Sequence, residues 1–145
     1  YMYIWHPHTI IIEMALHNEI GKIGEDIATK WLVSRGMIVI ERNYLRKWGE
    51  IDIVTRETNG KVHFVEVKSV SYETKSDLEW AVPYETYRPE EQVHKRKQER
   101  LKRAIQTWVG ENQYKGEFQI DIVLVHLVPR EKYARVTCLD NVIFE

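Results

Sequence analysis

The sequence predicts a single α/β domain with the element order αβββαβ, and three observations carry that expectation. Apolar residues recur at helical spacing near the N-terminus, three short β-branched runs separated by turn residues come next, and a charged amphipathic helix then precedes an almost uninterrupted apolar run. With 145 residues, 43% hydrophobic and 30% charged, the chain is long enough for one domain to bury a core.

The opening stretch, YMYIWHPHTIIIE, has neither a basic n-region nor a small-residue cleavage site, and it falls far short of the roughly 20 residues that cross a bilayer. It reads as neither signal peptide nor membrane anchor. Met14 begins a segment, MALHNEIG, that looks like an ordinary N-terminus, so residues 1–13 are expected to be an extension and 14–145 the domain; an added edge strand is the alternative. From about His17 to Ser34, Ile20, Ile23, Ile27, Ala28, Trp31 and Leu32 follow a helical period, and Gly36 stops it. The runs MIVIERNYL, GEIDIVTRE and VHFVEVKSV then read as an antiparallel meander.

Residues 71–89 show no sustained period and contain two prolines, which predicts a mobile flap. PEEQVHKRKQERLKRAIQTWV opens on Pro89 and two glutamates and carries Val93, Leu101, Ile105 and Val109 on an i, i+4 row, which predicts the second helix. FQIDIVLVHLV has the pattern of a strand buried on both faces, and YARVTCL with NVIF predicts one or two closing strands.

The bulk numbers exclude some function classes. A formal net charge of −1 announces no global nucleic-acid binder, so any such surface must be local. One cysteine, Cys138, can make neither an internal disulfide nor a cysteine-based zinc site, which suits a cytoplasmic protein.

Chemistry concentrates in GEIDIVTRETNGKVHFVEVK, residues 49–68. If Ile51, Ile53, Val65 and Val67 share one buried face, Glu50, Asp52, Phe64, Glu66 and Lys68 occupy the other. Paired residues must then sum to an even number. A loop Thr58-Asn59-Gly60, with Gly60 at positive φ, gives 118 and sets Asp52 across from Glu66, whereas a two-residue Asn-Gly turn would set it against Val67. Facing carboxylates repel. A divalent ion, Mg²⁺ or Mn²⁺, would offset that repulsion, and Lys68 on the same face could neutralise a phosphate and orient the attacking water. The plain alternative is a set of solvated positions on an exposed hairpin.

Two helical residues favour the metal reading. Glu25 lies at the margin of the first helix's buried stripe, beside Gly21, Ala28 and Leu32, and Lys97 occupies a core row where leucine would fit better.

The segments HNEIGKIGEDIATKWLVSRG, ERNYLRKWGEIDIV, HFVEVKS and VHKRKQERLKRAI, in that order, resemble the YraN-like uncharacterised family of the PD-(D/E)xK nuclease superfamily, itself similar to archaeal Holliday junction resolvases. The resemblance spans roughly residues 16–125. It implies a restriction-endonuclease-like αβββαβ core with a mixed central sheet flanked by helices. It also implies that Asp52 stands in the first acidic motif, Glu66 and Lys68 in the ExK motif, Glu25 in the first-helix acidic position and Lys97 in the second-helix basic position. GEID replaces the superfamily's Pro-Asp, as is usual for the family.

Among the remaining features, the stretch RPEEQVHKRKQERLKR is the concentrated basic segment, with Lys95, Arg96 and Arg100 as the residues most suited to a phosphate backbone; ion pairs such as Glu91–Lys95 and Glu99–Arg103 would instead make it a solvated helix face. Tyr72, Trp80, Tyr84 and Tyr87 in the flap could stack on splayed bases or pack on the body. His6 and His8 form a weak HxH, His63 and His126 read as structural, and Asp121 reads as a hydrogen-bonded structural aspartate. The expectation is therefore a Mg²⁺- or Mn²⁺-dependent endonuclease acting on DNA, branched or single-stranded. Asp52, Glu66 and Glu25 would be at the metal, Lys68 at the scissile phosphate, and Lys97, Lys95, Arg96 and Arg100 against nucleic acid. A non-cleaving nucleic-acid-binding module is the alternative. Junction resolution would require paired active sites, hence a homodimer.

Overall fold

The computed structural model describes residues 13–84 and 88–144. The sequence-based expectations for residues 1–12, including His6 and His8, and for Tyr87 lie outside the described residues. The elements are α1 (Glu13–Ser34), β1 (Ile38–Arg46), β2 (Gly49–Arg56), β3 (Val62–Ser71), α2 (Lys75–Ala81), α3 (Pro89–Gln92), α4 (Lys95–Glu111), β4 (Phe118–Val128) and β5 (Tyr133–Leu139). The five strands form one mixed sheet in chain order, β1-β2-β3-β4-β5; β3 and β4 run parallel and the other neighbours antiparallel. A parallel pair needs a long crossover, and the segment carrying α2 to α4 supplies it.

The alternation along the central strands builds two cores. On one face Ile23, Ile27, Ala28 and Leu32 of α1 pack on Ile53, Val65, Val67, Val123 and Val125. On the other, Leu101, Ala104, Ile105 and Trp108 of α4 pack on Val54, Phe64, Ile122 and Leu124, with the Phe64 and Trp108 rings meeting edge to face at 5.3 Å. β4 thus contributes to both cores, as its near-continuous apolar run predicts. The α1 terminus is closed by Gly36 at φ +87, where Gly36 N–H donates to Val33 O and Met37 N–H to Leu32 O, the paired bonds of a Schellman stop.

The structure departs from the sequence expectations in four places. First, α1 already includes Glu13, the first described residue, rather than starting near His17. Second, the expected flap contains α2, whose N-cap Thr74 accepts from Asp77 N–H at 3.1 Å. Only Leu78 of that helix is buried, so no periodic signal could reveal it. Third, the second helix is two helices. His94 is extended (ψ 146), and the buried Gln98 carboxamide donates to Val93 O at 2.7 Å, capturing a carbonyl that an unbroken helix would use internally. Fourth, NVIF forms no strand, although Val142 and Phe144 are buried in the α4-side core.

Gly49 lets the β1–β2 turn sit against α4: a Cβ there would fall 2.0 Å from the Arg100 carbonyl oxygen. Backbone cannot give way as a side-chain tip can. Gly49→Ala should therefore cost about 1–3 kcal/mol, read as a lowered urea midpoint; an unchanged midpoint would show that this turn is not held against the helix.

Candidate active site

The hairpin register is the one that an odd loop requires. Ile53 pairs with Val65 and Val54 with Phe64, the 118 sum, and Gly60 has φ +98. Glu57 N–H donates to Lys61 O at 2.8 Å, closing the three-residue loop 58–60. Beyond Ile53 the ladder stops. Asp52 Oδ2 accepts the Val67 N–H at 2.8 Å, so a carboxylate replaces a ladder carbonyl and the two strands part. One expectation fails here: Ile51 joins the α4-side core while Ile53 stays on the α1 side, so the four apolar residues do not share one face. A strand that parts from its neighbour twists, and strict alternation no longer assigns its faces.

The parting opens a cleft of about 540 Å³ lined by Lys22 and Glu25 of α1, Glu50 and Asp52 of β2, Lys68 and Ser69 of β3, and Lys97 of α4. Helix α1 reaches it through close contact: a Cβ on Gly24 would lie 1.8 Å from Ser69 Oγ. This brings the next residue, Glu25, against Asp52. Glu66, 2% exposed, meets Asp52 from β3, and its Oε1 pairs with Lys97 Nζ at 2.6 Å. Asp52 is therefore the middle carboxylate of three. Lys97 does not take the buried row position; it reaches past the core and remains half-exposed, with α4 burying Gln98 and Leu101 instead.

Burial and mutual repulsion raise the pKa values of this trio. Glu66 is pushed up to about 8 by burial and by the Asp52 charge, against the pull of Lys97. Glu25 rises to about 7 through burial and Asp52, opposed by Arg42. Asp52 is also raised, by burial, with the Val67 N–H and Lys97 acting the other way. For Lys97, burial lowers the value, but the Glu66 charge and hydrogen bond more than offset it. Such a set holds protons more tightly than free carboxylates do, and a cation placed among the groups would displace those protons.

The site residues chosen from the sequence thus occupy one place: Glu25, Asp52, Lys68 and Lys97 line the cleft and Glu66 lies beneath it. Sequence reasoning assigned no site role to Lys22 or Arg42. Lys22 stands one helical step before Glu25, a spacing that could have been noticed. Arg42 donates to Asp26 at 2.8 Å and lies 3.8 Å from Glu25, a β1–α1 contact without local signature.

The exposed basic residues continue from the cleft. Glu50 and Lys97 also line a groove with His94, Lys95, Arg96 and Arg100. Arg96 and Arg100 in turn line a third hollow with Lys47, Trp48, Glu99 and Arg103. Trp48 is partly exposed and its indole N–H donates to Thr107 Oγ1 at 2.8 Å, which fixes the ring beside these guanidinium groups. Within this segment Glu99 pairs with Lys102 at 3.6 Å and Arg88 with Glu91 at 3.8 Å, both at i, i+3 spacing. In the flap, Tyr72 packs on His126 with ring centroids 5.9 Å apart, while Trp80 is largely exposed.

Residues 24–125 match the model of the "Uncharacterised protein family UPF0102", a span that holds Glu25, Asp52, Glu66, Lys68 and Lys97. The chain is 38% identical over 126 residues to a UPF0102 protein of Dictyoglomus turgidum, covering 86% of this chain and 97% of that one. It is 37% identical over 130 residues to a UPF0102 protein of Beutenbergia cavernae, covering 89% and 99%. It is also 31% identical over 118 residues to one from Flavobacterium psychrophilum, covering 81% and 89%. These names assign no activity.

Proposed function

We propose, for a chain that belongs to the uncharacterised protein family UPF0102, that the cleft is the site of metal-dependent hydrolysis of DNA phosphodiester bonds on a restriction-endonuclease-like core. The observation that carries the reading is the buried pairing of Glu66 with Asp52: Glu66 Oε1 is taken by Lys97, while Oε2 meets no protein donor and the carboxyl can hydrogen-bond Asp52 only by holding a proton. A buried acceptor left unpaired next to a like charge is costly, and a hard cation bound by both carboxylates removes both costs.

The donor set fits the group. Asp52 and Glu66 offer oxygen ligands suited to Mg²⁺ or Mn²⁺. Glu25, hydrogen-bonded to Asp52, would complete the acidic cluster directly or through water. The ion's contribution, when bound, is to lower the pKa of a water and to neutralise charge on the phosphoryl oxygens. The chain's own residues do the rest. The Val67 N–H holds Asp52, Lys97 favours the ionised form of Glu66, and Lys68, in the same cleft, places an ammonium where a scissile phosphate would sit. Lys95, Arg96 and Arg100 would grip the backbone on either side of that phosphate, and Trp48 offers a face for an unpaired base.

The test is a panel of labelled linear, single-stranded and branched DNAs incubated with Mn²⁺, run beside Lys68→Ala. Cleavage by the parent alone supports the nuclease. Equal nicking by both would mark a contaminant, and metal-independent binding without cutting would mark a non-cleaving module. Arg96→Glu with Arg100→Glu should weaken binding of every sequence by about tenfold or more and flatten the dependence of log affinity on log salt by roughly one for each phosphate no longer neutralised. An unchanged salt slope would remove α4 from the interface.

A further inference from the structure

A second convergence of ligand-type side chains lies near the start of β3, away from the cleft. Parallel pairing sets His63 beside Gln119 and Val65 beside Asp121, and the chain leaving β5 after the Ile122–Leu139 pair returns Asp140 to the same point. Here His63, Asp121 and Asp140 each present a ligand atom within 4.8 Å of the others, the one such group of three among the described residues. We propose that these residues form a second divalent-cation site, with three protein ligands and a fourth position open to water, suited to Zn²⁺.

The argument rests on what surrounds the trio. His63 Nδ1 faces Asp121 Oδ2 at 2.6 Å, while its other ring nitrogen, Nε2, is held at 2.8 Å by the Glu57 carboxylate from the hairpin loop. A metal-bound imidazole characteristically has its second nitrogen fixed by a carboxylate in this way. The outward oxygens of the two aspartates are held as well. Asp121 Oδ1 accepts from Asn141 N–H at 2.9 Å and from the Gln119 amide at 2.8 Å, and the same amide donates to Asp140 Oδ1 at 2.5 Å. Glu57, Gln119 and Asn141 stand outside the trio, and they constrain the atoms that would point away from an ion.

The charge balance points the same way: three carboxylates, those of Glu57, Asp121 and Asp140, surround a single imidazole. Asp121 and His63 are buried while Asp140 is exposed, so the site has a built floor and an open side through which an ion could enter. Its one nitrogen and two carboxylate ligands select a borderline ion such as Zn²⁺, whereas the all-oxygen cleft favours Mg²⁺ or Mn²⁺. Occupation would tie the β2–β3 loop, β3, β4 and the tail after β5 together.

The proposal does not depend on the nuclease reading, and it can be tested apart from it. Asp52→Asn is taken as the background, so that the cleft contributes no ion, and Zn²⁺ binding is followed by equilibrium dialysis and thermal shift. The expected result is one Zn²⁺ per chain with a raised melting temperature. Adding Asp140→Asn, an exposed change that leaves the core untouched, should weaken the binding at least tenfold, and Glu57→Gln about tenfold. Absence of Zn²⁺ binding in the Asp52→Asn background, or binding indifferent to Asp140→Asn, would overturn the site and leave a hydrogen-bonded His63–carboxylate network.

Discussion

Asp52→Asn and Lys68→Ala should each lower Mn²⁺-dependent DNA cleavage by at least about a hundredfold, the scale seen when a single preorganised charge-stabilising group is removed, while leaving the fold intact. The amide oxygen introduced by Asp52→Asn can still accept the Val67 N–H that Asp52 Oδ2 takes at 2.8 Å, so the parting of β2 from β3 persists. What disappears is the formal charge on a proposed ligand to the ion. Lys68 lies at the cleft wall, and its truncation opens no core cavity. Both variants should bind labelled DNA within a fewfold of the parent when Ca²⁺ replaces Mn²⁺, because the basic residues proposed to grip DNA sit on α4. Full cleavage by either variant would separate these residues from the chemistry. Loss of binding together with cleavage would make them docking groups instead.

Glu66→Gln should have the opposite sign on stability from most substitutions: the metal-free variant should melt several degrees above the parent near pH 8. The reason is linkage. Glu66 ordinarily titrates near 4.5 and is raised to about 8 in the folded chain. A raised carboxyl pKa means that the folded state holds the proton more tightly, so its stabilising contribution is fully present below about pH 4.5 and is lost as pH rises through about 8. The neutral amide does not ionise, and the fall in melting temperature across that window should flatten. Mg²⁺ should restore the parent at pH 8 and do little for the variant, since a ligand that binds only the folded state stabilises it by mass action. Lys97 loses its partner but is half-exposed and can turn to solvent. A variant less stable than the parent at pH 8 without metal would show that the Glu66–Lys97 pair outweighs the carboxylate repulsion. The expected pattern is the familiar exchange of stability for a strained functional site.

The parts of the fold legible beforehand were those with a local period. Residues 95–109 announce a helix through Leu101 and Ile105, and residues 118–128 announce a doubly buried strand because both faces are apolar. α2 stayed hidden because a seven-residue helix with one buried side chain has no period to detect. The break at Val93–His94 stayed hidden because its cause, the bond from Gln98 to Val93, is made by a residue that looks like any polar helix surface position. In the site, Asp52, Glu66 and Lys68 could be picked out because strand alternation and loop length act within one hairpin. Arg42, which meets Asp26 and Glu25 across sixteen and seventeen residues of chain, could not.

The sequence by itself determined the parity of the hairpin: with Gly60 in a three-residue loop, the even register followed from Arg56–Val62 to Ile53–Val65, because side chains along a paired strand alternate. Tertiary structure alone decided where that ladder ends, at Ile53–Val65, and so which backbone amide the Asp52 carboxylate takes. It also decided which distant side chains converge, bringing Lys97 to Glu66 from α4, Glu25 to Asp52 from α1, and Asp140 to His63 and Asp121 from beyond β5. Those meetings depend on how helices and strands pack in three dimensions, and no period within a segment encodes them.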